Sequence, residues 1–207
     1  LHPIYLYLEK RCFQNAKRII ANSLMVKSQI INYYSVNPDK VKVVYNGIKS
    51  KTLQYQQSFE KLSKEFSISR DHSILLYVGS GFKRKGVKEF LQIISMLEKF
   101  NIIVFVIGKE KNMTYYQNFA KELKINNQVV FTGPREDVDD FYTVSDIFIF
   151  PTHYEPFSNV VLEAMNFENA VFTTRQNGAS EIVDDYFIMD KPEDFSIVER
   201  INDLLNN

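Results

Sequence analysis

Residues 79–86, GSGFKRKG, place glycines and three consecutive cations between an apolar run, ILLYVG, and a helical pattern, VKEFLQIISMLEKF. A strand-to-helix turn of that composition suits a phosphate group. The dinucleotide fingerprint asks for a third glycine three residues after the second, where this chain has Arg84. The P-loop asks for Lys and a hydroxyl residue after its last glycine, where Val87 and Lys88 follow Gly86. Both patterns fail. What remains is backbone freedom at Gly79 and Gly81, with Arg84 and Lys85 at the opening of a helix, a set that can neutralise a diphosphate. A solvated basic turn at a helix start is the plainer alternative.

A second stretch, PTHYEPFSNVVLEAM (residues 151–165), follows the apolar run DIFIF. Ser158 or Asn159 can cap a helix whose first amides, at Asn159 and Val160, face outward and suit an anion. Glu155 falls in the loop before that cap and Glu163 inside the helix. Ionised carboxylates are acceptors only, so the loop residue can take hydrogen bonds from sugar hydroxyls and the helical one can chelate vicinal hydroxyls of a ribose. The alternative is two surface glutamates.

The elements that must position these residues follow a regular rhythm. From residue 74 the runs ILLYVG, IIVFVIG, QVVFTG, DIFIFP and AVFTT alternate with helical patterns, the last of them ASEIVDD. That predicts an α/β fold, a Rossmann-like parallel sheet with helices on both faces, since runs such as IIVFVI suit strands buried on both sides. Ligands of such sheets bind at the carboxyl ends of the strands, where both stretches lie. Upstream, RIIAN and KVKVVYNG read as strands around a helix, SLMVKSQIINYYSV, with Asn46 and Gly47 closing that unit. A polar connector and short helix lead into the main domain. The final PEDFSIVERINDLLNN reads as an amphipathic helix without its packing partner. The organisation expected is residues 1–46 as terminal elements of a further unit, 47–190 as the ligand-binding domain and 191–207 as a C-terminal helix.

The 207 residues are 45% hydrophobic, enough for a sizeable core, and Lys plus Arg equals Asp plus Glu at 25 each. With no global field, nucleic acid is not an expected partner and a basic site must be local. Cys12 is the single cysteine, which fits a reducing, cytoplasmic compartment. The opening LHPIYLYLEKRCF has no signal-peptide core, and no window approaches the roughly 20 apolar residues of a membrane span. Lys10, Arg11, Lys17 and Arg18 offer a candidate peripheral contact with an anionic inner-membrane face, against the plainer reading of a solvated helix. The chain lacks an initiator Met, so a piece of a longer protein is expected.

The frame E-x7-E, here EPFSNVVLE, resembles the donor-site motif of the large retaining glycosyltransferase family with the two-domain GT-B fold (group 1, family 4), which includes glycogen, sucrose and lipopolysaccharide-core transferases. KVKVVYNGI, YVGSGFKRKG, VVFTGPREDV, SDIFIFP and NGASEIV stand in the order that family shows, so the resemblance runs from about Arg18 to Asp185. The family usually has Arg just after the first glycine of the first loop. Here Ser80 holds that position and Arg84 stands beside Lys85, a departure most similar to lipopolysaccharide-core glucosyltransferases that act on a heptose.

The resemblance implies the C-terminal, donor-binding domain of a transferase using a UDP-sugar as donor substrate, with no cofactor and no metal. Arg84 and Lys85 would bind the nucleotide diphosphate and stabilise its leaving charge, as electrostatic catalysis requires. Glu155, with the backbone of Phe157, Ser158 and Asn159, would hold the sugar. Glu163 would bind the ribose. Gly133, Pro134 and Arg135 would meet the base mainly through backbone, and Asn46 and Gly47 would mark the hinge. The acceptor, a glycan or lipopolysaccharide core, would be bound by a mostly absent N-terminal domain, and the chain alone would transfer little or nothing. A non-catalytic sugar-nucleotide module and an epimerase of the same fold are the alternatives. His153 reads as structural, His2 and His72 lack partners at metal-ligand spacing, and Asp137, Asp139 and Asp140 read as an acidic helix start.

Overall fold

The computed structural model describes residues 3–98 and 101–206. The chain opens with α1 (Pro3–Asn15), whose residues are all at least partly exposed, Ile4, Tyr5, Leu6, Tyr7 and Leu8 included. Next come β1 (Ile19–Ala21), α2 (Leu24–Tyr34) and β2 (Val41–Val43). Ser23 caps α2 by accepting the Val26 N–H, and Ser35 ends it in the left-handed region. β1 and β2 pair in parallel over a small core of Ile19, Ala21, Ile30, Val36 and Val41, separate from the main one.

The main body begins with α3 (Tyr55–Phe66) and continues β3 (Ser73–Val78), α4 (Val87–Ser95), β4 (Ile102–Ile107), α5 (Met113–Glu122), β5 (Val129–Gly133), α6 (Val138–Val144), β6 (Ile147–Phe150), α7 (Asn159–Asn166), β7 (Ala170–Thr174), β8 (Ile188–Met189) and α8 (Ile197–Asn206). Its sheet has the order β5-β4-β3-β6-β7-β8, every pair parallel. The chain first steps from β3 outward to β5, then returns across the sheet to β6 and steps the other way. With right-handed crossovers, that reversal puts the helices of the two halves on opposite faces. The buried runs of β3, β4 and β6 follow from being covered on both sides. The order is that of the doubly wound Rossmann sheet, whose switch point lies here between β3 and β6. The loops leaving those two strands are GSGFKRKG and PTHYEPFS.

Several expectations are corrected. ASEIVDD is not an α-helix: Gly178–Ile182 and Asp185–Phe187 form 3-10 turns, the first capped by Asn177 accepting from Ala179 N–H. α4 ends at Ser95, and the expected end at Phe100 lies outside the described residues. The terminal helix starts at Ile197, five residues after Pro192, and does not lack a partner: Ile197, Ile201 and Leu205 are buried in the main core, an i, i+4, i+8 stripe. The short strand β8 was not expected from the sequence, and the solvated helix read at Lys10 to Arg18 is α1, which begins at Pro3 and ends at Asn15.

Truncating a core residue of α8 tests that it belongs to the domain. Ile201→Ala, at a fully buried position, is expected to cost about 2–5 kcal/mol in urea unfolding; a change below about 0.5 kcal/mol would mean that the helix is an appendage.

Candidate functional site

The two switch-point loops touch. Gly86 has φ +74°, and a Cβ there would sit 1.8 Å from the Pro151 carbonyl oxygen. Only glycine tolerates that conformation and that approach together. Beside it, the Arg84 carbonyl accepts the His153 N–H at 3.0 Å and the Thr152 hydroxyl at 3.3 Å. The Arg84 guanidinium crosses to the other loop, donating to the Tyr154 carbonyl at 2.6 Å and to Glu155 Oε2 at 3.1 Å. Lys85 Nζ lies 3.6 Å from the same oxygen and 5.4 Å from the centre of the Phe150 ring. The Lys85 and Glu155 side chains are 18% and 17% exposed, whereas that of Arg84 is 52% exposed. Two cations thus converge on one carboxylate at the carboxyl ends of β3 and β6.

The β4–α5 loop supports the first of these turns. Ser80 Oγ accepts the Lys109 N–H at 3.0 Å and the Gly81 N–H reaches the Lys109 carbonyl at 3.3 Å. Glu110 accepts from the amides of Asn112 at 3.0 Å and Phe82 at 2.9 Å, and these bonds, the Asn112 amide first, hold its carboxyl below the usual range. The Gly79 amide extends the ladder to the Ile107 carbonyl at 2.8 Å.

The Glu155 loop is fixed on its other side by residues 176–178. The Glu155 N–H donates to the Gln176 carbonyl and the Gly178 N–H to the Glu155 carbonyl, both at 2.9 Å. Buried Asn177 accepts from Ser158 N–H at 3.2 Å and Ala179 N–H at 3.1 Å and donates to Thr173 Oγ1 at 3.0 Å. Phe157 is buried under the Tyr45 ring, 5.4 Å between centroids. Ser158 occupies the N-cap of α7, but its hydroxyl makes no cap bond. That leaves the first-turn amides of Asn159 and Val160 without intrahelical acceptors, as at any helix start. Asn159 Oδ1 accepts from Asn46 Nδ2 at 2.9 Å, tying the expected hinge to this helix.

Glu163 opens on a different recess, about 200 Å³, which it shares with Ile48, Lys49, Lys51, Asp139, Asn166 and Phe167. It accepts from the Tyr142 hydroxyl at 3.1 Å, and burial followed by the Glu163 charge pushes the Tyr142 phenol well up. At the end of β5, the Arg135 guanidinium is engaged by Glu65 at 2.6 and 2.9 Å and by Asp137 at 2.8 and 2.9 Å, over the rings of Phe66 and Phe141. Its side chain therefore pins the loop of Gly133 and Pro134 to α3. Lys61 joins Asp137 and Asp140, and Lys51 joins Asp139, so the acidic start of α6 is the anchor of the polar connector and α3.

The model of the family described as glycosyl transferases group 1 matches residues 58–207, and that of glycosyltransferase family 4 matches residues 1–51. The chain belongs to the glycosyl transferases group 1 family. It is 32% identical to the capsular polysaccharide biosynthesis glycosyltransferase CapM of Staphylococcus aureus, over 98% of this chain and 56% of CapM. It is 26% identical to the lipopolysaccharide glucosyltransferase WaaG of Escherichia coli K12, over 87% of this chain and 50% of WaaG. A solved WaaG structure matches 98% of the chain with a TM-score of 0.85 at 23% identity, covering 58% of WaaG. HepE of Anabaena, solved in complex with UDP and glucose, matches all of it with a TM-score of 0.86 at 19% identity, covering 59% of HepE. The fold is that of the GT-B glycosyltransferases, and the chain spans about half the length of the relatives it matches.

In this group 1 chain, Ser80, at the position where the resemblance leads one to expect Arg, fixes the neighbouring loop instead of offering a cation. His153 faces Glu89 of α4, 3.2 Å between Nε2 and Oε1. Glu193 brings its carboxylate within 4.8 Å of both, a grouping from one helix and two loops that no spacing in the sequence reveals. His72 accepts the Ser69 N–H in a turn, and His2 lies outside the described residues. Lys10 and Arg11 of α1 and Lys17 and Arg18 after it are solvent-exposed, and no described helix is long and apolar enough to cross a membrane. The sequence reading missed Asn177, Phe150 and Lys51; the NG dipeptide at 177–178 was the one available signal.

Arg135 and then Lys61 hold the Asp137 carboxyl well below its ordinary range. A depressed folded pKa stabilises above the unfolded value, near 3.9, and the contribution is lost as pH falls through the folded one. Asp137→Asn is expected to cost about 1.5–3 kcal/mol at pH 7, and urea curves should show the gap from wild type narrowing as the pH is lowered toward 3. A gap independent of pH would deny the carboxylate its role.

Proposed function

We propose that this chain is the donor-binding part of a retaining, metal-independent glycosyltransferase that transfers a hexose, glucose as the leading choice, from a UDP-sugar to a lipopolysaccharide core heptose or related glycan. The observation that carries the reading is the convergence of Arg84 and Lys85 on Glu155 at the switch point. Two cations there suit a diphosphate, and the carboxylate they share suits sugar hydroxyls. As the bond between the anomeric carbon and the β-phosphate oxygen breaks, its electron pair goes to that oxygen, the acceptor hydroxyl oxygen bonds to the anomeric carbon on the same face, and the hydroxyl proton passes to the leaving diphosphate. Arg84 and Lys85 stabilise the charge where it develops, in the partly water-excluded seat that Lys85 occupies.

Glu155 holds the sugar together with the amides of Asn159 and Val160, which stand at the positive end of α7. Glu163 takes the ribose hydroxyls in its recess beside Lys51, and the loop of Gly133 to Arg135 meets the base by backbone. The choice of UDP and glucose is supported by the UDP and glucose bound in the HepE structure and by the likeness to the glucosyltransferase WaaG. Residues 1–46 end a further domain that binds the acceptor, and the whole works in the cytoplasm.

Lys85→Ala is expected to weaken UDP binding by about 1.5–3 kcal/mol in calorimetry, the range for a hydrogen bond to a charged group; equal affinities would remove the diphosphate role. A thermal-shift screen of UDP-, GDP- and ADP-sugars should favour UDP. Glu163→Ala should reduce affinity for UDP while leaving that for uracil alone unchanged, and undiminished UDP affinity would take Glu163 out of the ribose site.

A further inference from the structure

Glu181 lies outside both loops, in the 3-10 turn that follows Asn177. Its carboxylate accepts three hydrogen bonds from the N-terminal unit. Oε2 takes the Leu24 N–H at 2.8 Å and the Tyr45 hydroxyl at 2.9 Å, and Oε1 takes the Met25 N–H at 2.8 Å. Leu24 and Met25 are the first residues of α2, so the anion sits on the positive end of an 11-residue helix whose own cap, Ser23, precedes them. The bond from Tyr45 raises that phenol's pKa, the direction expected for a hydroxyl held by an anion.

The same helix end grips the sugar loop. Ser23 Oγ, while accepting from Val26, donates to the Pro156 carbonyl at 2.9 Å, and the Tyr154 hydroxyl donates to Gln29 of α2 at 2.7 Å. Both neighbours of Glu155 in the chain are therefore tied to α2. No slack exists at the junction, since a Cβ on Gly178 would lie 2.0 Å from the Pro156 carbonyl oxygen and 2.6 Å from Ser23 Oγ. The backbone turn that carries Arg84 and Lys85 has supports of its own, Gly86 against Pro151 and Glu110 under Phe82, although the Arg84 guanidinium also donates to the Tyr154 carbonyl and to Glu155. The turn of the cations thus has a backbone scaffold that does not run through α2, whereas the sugar loop is held by α2.

We propose that Glu181 is a positioning residue for the donor sugar: by seating the α2 N-terminus on the 178–182 turn it sets the place of Tyr154, Pro156 and hence Glu155, and it governs recognition of the sugar without governing recognition of the nucleotide. The proposal rests on the donor-site reading above and adds to it a residue of the junction between the two units.

Calorimetry on the 207-residue chain with UDP and with UDP-glucose tests this, comparing wild type, Glu181→Gln and Ser23→Ala, each checked for folding by circular dichroism. The expected result is UDP affinity within about twofold of wild type and UDP-glucose affinity reduced roughly tenfold in both variants, as loss of a charge-assisted hydrogen bond at the seat implies. Parallel losses for the two ligands would leave Glu181 a merely structural cap, and unchanged affinities for both would leave it no role; either overturns the proposal. If Glu181→Gln does not fold, Ser23→Ala alone decides, because it acts on Pro156 directly. A wild-type chain that binds neither ligand overturns the donor-site reading itself, a result distinct from the other two.

Discussion

The carbonyl of Pro151 occupies the space where residue 86 would carry a side chain. That single approach brings the turn after β3 against the loop after β6, and the site is built outward from it. Without it the Arg84 carbonyl could not take its two hydrogen bonds from Thr152 and His153, and Arg84 and Lys85 would not reach Glu155. The sheet order supplies the opportunity, since β3 and β6 are neighbours from which the chain leaves in opposite directions and no crossover helix fills the gap between their ends. Glycine supplies the closeness.

Around this contact the structure spends polar groups on holding loops rather than on surface decoration. A loop at the carboxyl edge of a sheet exposes amides and carbonyls that need partners, and leaving one buried and unpaired costs as much as a lost hydrogen bond. Here each loop answers its neighbour: Ser80 and Gly81 with Lys109, Glu110 with Phe82, Asn177 with Ser158, Ser23 with Pro156. The Arg135 cluster does the same at the far end, packing a guanidinium bound by two carboxylates over Phe66 and Phe141. The loops are thereby held by hydrogen bonds to their neighbours, as the preorganised site proposed here requires.

This division also decides what the sequence discloses. The inner strands β3, β4, β6 and β7 are legible because burial on both faces demands unbroken apolar runs, and the two loops are legible because glycines, cations and the paired glutamates are local patterns. Hydrogen bonds that span the chain leave no local trace. Glu181 reaches Leu24 across 157 residues, and nothing in NGASEIV marks it as a helix cap. The same segment misreads as an α-helix because its apolar spacing is helical, while Asn177 and the close packing at Gly178 impose a 3-10 turn. α8 misleads in the opposite sense: an amphipathic stripe at the end of a chain shows that a partner is needed, but whether the core reaches that far is a matter of tertiary geometry. The N-terminal α1, with apolar residues at five successive positions and none buried, fits neither period, so its basic stretch read as a solvated helix while its start at Pro3 did not show.

The zero net charge of the chain makes the local pairing at the switch point consequential. Arg84 and Lys85 would repel each other and lose hydration if nothing stood between them, and Glu155 supplies the compensating charge at 3.1 and 3.6 Å. A diphosphate carries more negative charge than one carboxylate and offers more acceptor atoms, so it competes favourably for both cations. On the proposed donor-site reading its arrival would release Glu155 from Arg84 and Lys85 and leave a carboxylate, still held by residues 176–178 through its backbone, to accept from hydroxyls. On that reading the ion pair that holds Arg84 and Lys85 beside Glu155 is also the one a bound diphosphate would exchange.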